Sequence, residues 1–171
     1  MAPARLVLPD ASRALKDQVV VVSGGAGGIG RAIAWLFARL GAHVALVGRD
    51  QAKLDALVSQ MAERNLKASA HPADIREPDA VNALFDAIWT THGRLDSLVN
   101  SAGGQFPQAA IDFSVKGWNA VINTNLNGTW YMMQAAAQRW RDRKHPGSIV
   151  NIVVVTTHGL YGIAHSIAAR S

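Results

Sequence analysis

The chain has 171 residues, of which 49% are hydrophobic and 17% are charged, and its formal net charge is +5. This composition is typical of one globular domain with a buried core, and it excludes an intrinsically disordered chain. The sequence contains no cysteine, which excludes disulfides, thiolate metal sites and a cysteine nucleophile, and we predict no metal site.

Short runs rich in β-branched residues alternate with longer segments whose apolar residues recur at helical spacing. The short runs predict five strands, over residues 18–22, 43–47, 67–71, 97–100 and 148–155. The longer segments predict helices over residues 30–40, 51–64, 78–92 and 115–143, the last with a bend near Gly128, and a further helix that begins near Ala164.

Strands that alternate with helices in this way form βαβ units around a parallel sheet. We therefore predict an α/β fold: a doubly wound parallel sheet with helices on both faces. Residues 16–171 would form this domain, and residues 1–15 a surface lead-in. Because such folds usually have at least one more strand, we expect the domain to be truncated at its C-terminal side.

The net positive charge of the chain does not by itself indicate a nucleic-acid partner. Basic residues such as Arg139, Arg141 and Arg143 are spread along a predicted helix, which is typical of a solvated face, so we expect no nucleic-acid partner. Part of the excess fits a pocket for an anionic ligand. No apolar run is long enough to span a membrane and no targeting signal is evident, so we predict no membrane partner and a cytoplasmic protein.

A glycine-rich run, S-G-G-A-G-G-I-G, joins the first predicted strand to the first predicted helix over residues 23–30. Glycines allow the backbone to approach a diphosphate closely, and the start of a helix offers unpaired N–H groups and partial positive charge. We predict a dinucleotide site that includes Ser23, Gly24, Gly28, Ile29 and Gly30. The alternative is a tight strand-to-helix turn that binds nothing.

The end of the second predicted strand indicates which dinucleotide is bound. The sequence there is Gly48-Arg49-Asp50, and a guanidinium is suited to the 2′-phosphate of NADP, whereas an acidic residue would favour NAD. We therefore predict NADP(H) rather than NAD(H), with Arg49 as a binding residue. The alternative is that Arg49 only covers the sheet edge while Asp50 begins the next helix.

The glycine run resembles the T-G-x-x-x-G-I-G motif of the short-chain dehydrogenase/reductase family, with Ser23 in place of the usual threonine. This resemblance implies a Rossmann-type fold. It also favours Asp74, followed by Ile75, as an acceptor for the adenine amino group, although a turn or helix-capping aspartate would look the same. The run Asn100-Ser101-Ala102-Gly103 resembles the N-N-A-G motif of the family, which implies that Asn100, Ala102 and Gly103 line the cofactor site.

The resemblance also assigns candidate catalytic residues. Asn125 matches the helical asparagine that the family uses to position a water or the catalytic lysine. The family then reads N-I-S-S and Y-x-x-x-K, but valines stand at the serine positions, Ser166 replaces the tyrosine and Arg170 replaces the lysine. Thr156 and Tyr161 offer the nearest hydroxyl and phenol. Arginine stays protonated, so Arg170 can anchor a ribose or phosphate but cannot shuttle a proton.

Several of these departures, with H-S-x-A-A-R over residues 165–170, resemble the branch of peroxisomal trans-2-enoyl-CoA reductases and 2,4-dienoyl-CoA reductases. The resemblance implies NADPH-dependent reduction of a C=C bond conjugated to a thioester, an acyl-CoA-like substrate, and a homo-oligomer for the intact family member. The proton-donating tyrosine of such enzymes would then lie beyond Arg170. Two alternatives remain: a short-chain carbonyl reductase or alcohol dehydrogenase, and an inactive truncated fragment.

Overall fold

The computed structural model describes residues 13–155 and 161–170, and its centre is a five-stranded parallel sheet. The strands pair in the order β3-β2-β1-β4-β5, so the chain winds outward from β1 in both directions. This confirms the predicted doubly wound, Rossmann-type parallel sheet. The strands are β1 Val19–Ser23, β2 His43–Gly48, β3 Ala68–Pro72, β4 Ser97–Asn100 and β5 Ser148–Asn151.

Six α-helices are described, together with a short 3₁₀ turn at Ala110–Asp112. Their ends follow from local chemistry: the Asp50 carboxylate accepts from Lys53 N–H at the start of α2, and Gly93 adopts a left-handed conformation after α3. The helices are α1 Gly28–Arg39, α2 Gln51–Ala62, α3 Pro78–His92, α4 Val115–Ile122, α5 Thr129–Arg143 and α6 Ala164–Arg170.

Helices cover both faces of the sheet, as predicted. Val20 and Val22 of β1 pack in one cluster with residues of α1 and α2, whereas Val19 and Val21 pack in another with residues of α3 and α5. A central strand that is buried on both faces needs apolar side chains in both directions. This explains why β1 is an unbroken run of valines rather than an alternating pattern.

The segment predicted as one helix over 115–143 is helical throughout, but its middle is a π-helical turn, Asn123–Gly128. Gly128 lies against Ile75, and a Cβ atom at Gly128 would be 2.7 Å from Ile75 Cγ1. The glycine therefore lets the helix approach the segment that follows β3. Such π turns inside helices often occur at functional sites.

The prediction of a strand over 148–155 was wrong in length, because β5 ends at Asn151. Its neighbour β4 ends at Asn100, whose carbonyl accepts from Ile152 N–H at 3.0 Å. Two residues further on, Val154 N–H donates to the carbonyl of Arg170 in α6 and not to a strand. Without a continuing partner strand, the β-branched residues 153–155 cannot extend the ladder.

Residues 1–12 of the predicted surface lead-in lie outside the described residues. At its inner end, Leu15 packs on the core cluster that contains α1 and donates its N–H to the Leu40 carbonyl. Across residues 13–155 and 161–170, no helix is long and apolar enough to cross a membrane.

Candidate functional site

A cleft of about 1220 Å³ opens at the carboxyl ends of the parallel strands. It includes the point between β1 and β4 where the strand order reverses, and ligands of doubly wound sheets bind there. Three groups of residues line it: the glycine turn 24–30, a charged group at residues 49–53 and 73–76, and the segment 101–106 together with Arg170. We call the charged side the adenosine end and the Arg170 side the reaction end.

The three predicted glycines have different physical roles. Gly24 has φ +68°, and a Cβ atom there would lie 2.8 Å from Ala102 Cα. A Cβ atom on Gly30 would lie 2.3 Å from the Gly24 carbonyl oxygen, so Gly30 allows α1 to pack on the turn. Gly28 meets no atom within 4 Å and borders the cleft, so its lack of a side chain leaves room for a ligand.

Helix α1 begins at Gly28 without a side-chain cap, because its N-cap residue is Gly27. Its first N–H groups and the positive end of its dipole are therefore available to an anion at the cleft. Ile29, also predicted as a binding residue, lines the cleft beside them. Together with the open space at Gly28, this arrangement fits the diphosphate of a nicotinamide dinucleotide.

Ser23 is fully buried, and its Oγ accepts hydrogen bonds from the N–H groups of Ser101 and Ala102, both at 3.2 Å. The side chain therefore ties the end of β1 to the turn after β4. This explains why a hydroxyl is needed at this position. A direct contact between Ser23 and a dinucleotide stays a prediction.

At the adenosine end, Arg49 follows β2, is exposed, and forms no ion pair with any described residue. The neighbouring Asp50 is engaged elsewhere, because it caps α2 and pairs with Lys53 Nζ at 3.2 Å. Arg49 therefore presents to the cleft a guanidinium with no ion-pair partner among the described residues, which fits a phosphate group.

Asp74, the predicted adenine acceptor, already has a partner. Arg76 donates to both of its carboxylate oxygens through its side chain and to Oδ1 through its backbone N–H. These bonds, with a smaller contribution from the charge of Arg49, lower the pKa of Asp74 below its usual value. The contact to adenine stays a prediction, and the following residue, Ile75, is buried against Gly128.

Asn100 and Asn151 face each other at the carboxyl ends of β4 and β5. Asn100 Nδ2 donates to Asn151 Oδ1 at 2.9 Å, whereas the buried Asn100 Oδ1 has no hydrogen-bond partner among the described residues. Sequence reasoning missed Asn151. The predicted strand over 148–155 hid this pairing, because it placed the end of β5 four residues beyond Asn151.

The reaction end is organised around Arg170, which reaches from α6 into the cleft. The guanidinium lies directly over Gly103, since a Cβ atom on Gly103 would lie 1.3 Å from Arg170 Nη2, and a side chain at this position would force Arg170 to move. Arg170 Nη2 is 3.5 Å from the Ala102 carbonyl oxygen, and partial burial lowers the pKa of Arg170. No acidic residue among those described pairs with it.

Asn125 lies in the π-helical turn and is almost fully buried. Its Oδ1 accepts from Gly104 N–H at 3.0 Å, and its Nδ2 donates to the Gly104 carbonyl at 2.9 Å. Both polar atoms therefore hold the backbone next to Arg170. A role in positioning a water stays a prediction.

The other predicted catalytic residues are not assembled with Arg170 by the described structure. Tyr161 is 95% exposed, and Ser166 is fully buried with no hydrogen-bond partner for its Oγ among the described residues. Thr156 lies outside the described residues. Phe106 and Arg76 also line the cleft, although neither was predicted as a site residue.

The comparisons with known proteins agree with this geometry. The family model of short chain dehydrogenases matches residues 18–168. A protein of Bacillus subtilis (strain 168) described as a probable 2,4-dienoyl-CoA reductase is 34% identical over 158 residues, which are 92% of this chain and 62% of that protein. The chain thus spans less than two thirds of the length of this relative.

Solved structures show the same fold. A citronellol catabolism dehydrogenase of Pseudomonas aeruginosa PAO1 superposes with a TM-score of 0.88 at 36% identity, covering 96% of this chain and 66% of that one. A metagenomic short-chain oxidoreductase in complex with NADP superposes with a TM-score of 0.85 at 32% identity, covering 92% and 72%. The chain belongs to the short-chain dehydrogenase/reductase family of oxidoreductases.

Proposed function

We propose that this chain forms the dinucleotide-binding part of a cytoplasmic, NADP(H)-dependent oxidoreductase that reduces the conjugated C=C bond of an enoyl-CoA-type thioester. The unpaired guanidinium of Arg49 beside the glycine turn carries the proposal for the cofactor. The substrate class is supported by the Bacillus relative described as a probable 2,4-dienoyl-CoA reductase and by the chemistry of Arg170.

The preference for NADP(H) follows from the charges at the adenosine end. Lys53 is neutralised by Asp50 and Arg76 by Asp74, which leaves Arg49 as the unpaired cation of this charged group. A 2′-phosphate would supply the missing negative charge and accept two hydrogen bonds from the planar guanidinium. Unphosphorylated NAD(H) offers no such partner.

The proposed reaction requires negative charge to be stabilised on the thioester oxygen. NADPH, when bound, supplies the hydride. Arg170 remains protonated at all ordinary pH values, so it can stabilise a developing oxyanion by charge and hydrogen bonding but cannot transfer a proton. An enolate needs such donors at its oxygen, which makes the arginine more suitable here than in a reaction that relies on a lysine–tyrosine pair.

The first experiment is a fluorescence titration of NADPH and NADH against the wild-type chain, Arg49→Ser and Lys53→Ser. Loss of one bidentate charged contact should cost about 1.5–3 kcal/mol, so Arg49→Ser should lower the NADPH preference at least about 10-fold. Lys53→Ser, which removes a neighbouring but paired cation, should keep that preference. Equal binding of both dinucleotides by the wild-type chain would contradict the cofactor proposal.

The second experiment follows NADPH oxidation with a 2-enoyl-CoA and, separately, with an aliphatic aldehyde. Turnover of the thioester alone supports the proposed reaction. Turnover of the aldehyde alone would instead support the carbonyl reductase alternative, which the structural similarity to a citronellol catabolism dehydrogenase favours. NADPH binding with neither turnover would show that these residues bind the cofactor but do not catalyse the reaction.

A further inference from the structure

An aromatic cluster centred on His165 joins α6 to the segment that follows β4, and both segments border the reaction end. His165, in the first turn of α6, is fully buried. Its ring centroid lies 4.7 Å from that of Phe106, in an edge-to-face arrangement, and 4.4 Å from that of Phe113. The imidazole is therefore wedged between two aromatic side chains of the segment that follows β4. Such contacts are geometrically specific as well as apolar.

The hydrogen bonding of His165 shows that packing, rather than a polar network, holds this ring. Its Nδ1 accepts from Ser166 N–H at 2.8 Å, so the proton of the neutral ring is on Nε2. Nε2 is buried and has no hydrogen-bond partner among the described residues. A buried polar atom without a partner is costly, so the hydrogen bonds of this ring do not account for its position, and its packing against the two phenylalanines does.

The two segments that this ring joins, residues 104–113 and α6, both reach the cleft. Phe106 lines the cleft on one side, and Arg170 reaches it from the opposite end of α6. One backbone hydrogen bond, from Gln108 N–H to the Gly162 carbonyl at 2.8 Å, also links the two segments. Gly117 of α4 also lies against the Phe106 ring, since a Cβ atom on Gly117 would lie 3.0 Å from Phe106 Cζ.

We propose that His165 is a positioning residue: its ring, wedged between Phe106 and Phe113, holds the 104–113 segment on α6 and so sets the distance between Phe106 and Arg170 at the reaction end. This inference rests on the proposed dinucleotide site, because the reaction end is where the nicotinamide and the substrate would meet. It assigns no chemical step to the imidazole.

The test uses three variants of the full chain that separate the ring from its hydrogen bond. His165→Phe keeps an aromatic ring and loses the Nδ1 acceptor. His165→Asn keeps an acceptor close to the Ser166 N–H and loses the ring, and His165→Ala loses both. His92→Ala is the matched control. His92 is a partly buried imidazole with a ring neighbour, His43 at 4.2 Å, and like His165 it has a buried Nε2 with no hydrogen-bond partner among the described residues.

The first readout is amide hydrogen exchange, which needs no ligand. Two aromatic contacts are together worth about 1.4 kcal/mol or more, so residues 104–113 should exchange about 10-fold faster in His165→Asn and His165→Ala. They should stay protected in His165→Phe and His92→Ala. Equal protection in all variants, or acceleration spread evenly over the sheet, would overturn the proposal.

The second readout separates this inference from the proposed function. Adenosine 2′,5′-bisphosphate carries only the adenosine half of NADPH and should bind all variants alike, whereas NADPH should bind His165→Asn several-fold more weakly and His165→Phe normally. Parallel loss of both ligands would mean general unfolding and would contradict a local positioning role. If the wild-type chain binds neither ligand, the cofactor proposal fails, and the exchange experiment still decides whether His165 fixes the segment.

Discussion

The glycine turn and the reaction end of the cleft are built by different means. The glycine turn acts through its backbone: a positive φ at Gly24, a close contact at Gly30 and open space at Gly28. At the reaction end, side chains from distant segments meet, with Arg170 over Gly103 and Asn125 bonded to Gly104. A backbone site survives changes in the residues around it, whereas a side-chain site changes its chemistry with one substitution.

This difference explains where the chain departs from its family. The glycine turn keeps the family spacing. A Cβ atom at Gly24 or Gly30 would collide with a backbone atom, and a Cβ atom at Gly28 would take up space that a ligand needs. The reaction end carries valines for serines and an arginine for a lysine. We infer that backbone geometry restricts the residues of the glycine turn, whereas substrate specificity varies through the side chains of the reaction end.

The largest expected effect separates two glycines of the same turn. Gly30→Val should lower the free energy of unfolding by about 3 kcal/mol or more, because its side chain would collide with the Gly24 carbonyl. Gly28→Ala should leave stability unchanged and weaken NADPH binding, because its methyl group enters only the cleft. Urea denaturation and fluorescence titration measure the two effects. Similar losses of stability in both variants would refute the distinction.

At the reaction end, Asn125→Ala should lower the free energy of unfolding by about 1–2 kcal/mol, since two hydrogen bonds from a buried amide are lost. The loss should be local, so hydrogen exchange should rise at residues 103–106 and not in the glycine turn. Asn127→Ala is a suitable control, because the Asn127 amide donates to Asn123 on an exposed part of the same turn. If both variants lose equal stability, Asn125 does not hold the reaction end.

The region around β2 and β3 should be acid-sensitive, through three histidines that do not line the cleft. Burial, and then the charges of His92, His71 and Lys67, lower the pKa of His43 to about 4, and burial lowers the pKa values of His71 and His92. Since the unfolded chain takes up protons near pH 6.5 and the folded chain does not, stability is constant above pH 6.5 and falls between pH 6.5 and 4.

Because these rings are only partly buried, solvent screening reduces the effect, and we expect a loss of about 1–2 kcal/mol between pH 7 and 5. Denaturation of the wild-type chain and His43→Gln at both pH values measures it. The glutamine does not titrate, so its slope against pH should be smaller even if the variant is less stable overall. An equal slope would mean that His43 titrates normally in the folded chain.

The smallest effect should come from Arg170→Met. Arg170 is partly buried without an acidic partner among the described residues, so an apolar side chain of similar length should raise stability by about 1 kcal/mol. NADPH binding should weaken at the same time. A variant that is both less stable and unchanged in binding would show that Arg170 contributes packing alone.

The sequence was a good guide wherever the information is local. The four valines of β1, the glycine turn and the Asp50 cap each follow from a few consecutive residues, and the parallel doubly wound sheet follows from the alternation of strands and helices. The extent of β5 was wrong, because a strand continues only while its neighbour offers partners, and β4 ends at Asn100.

The fold class, the glycine turn and the position of Arg49 could be predicted from the sequence alone, because they depend on backbone conformation and on residues near one another in the chain. The tertiary structure was needed to show that Arg76 pairs with Asp74, that Arg170 lies over Gly103, and that His165 lies between Phe106 and Phe113. The last two contacts join residues more than fifty positions apart. Their geometry is set by how α6 and the segment after β4 pack, and no local pattern records that.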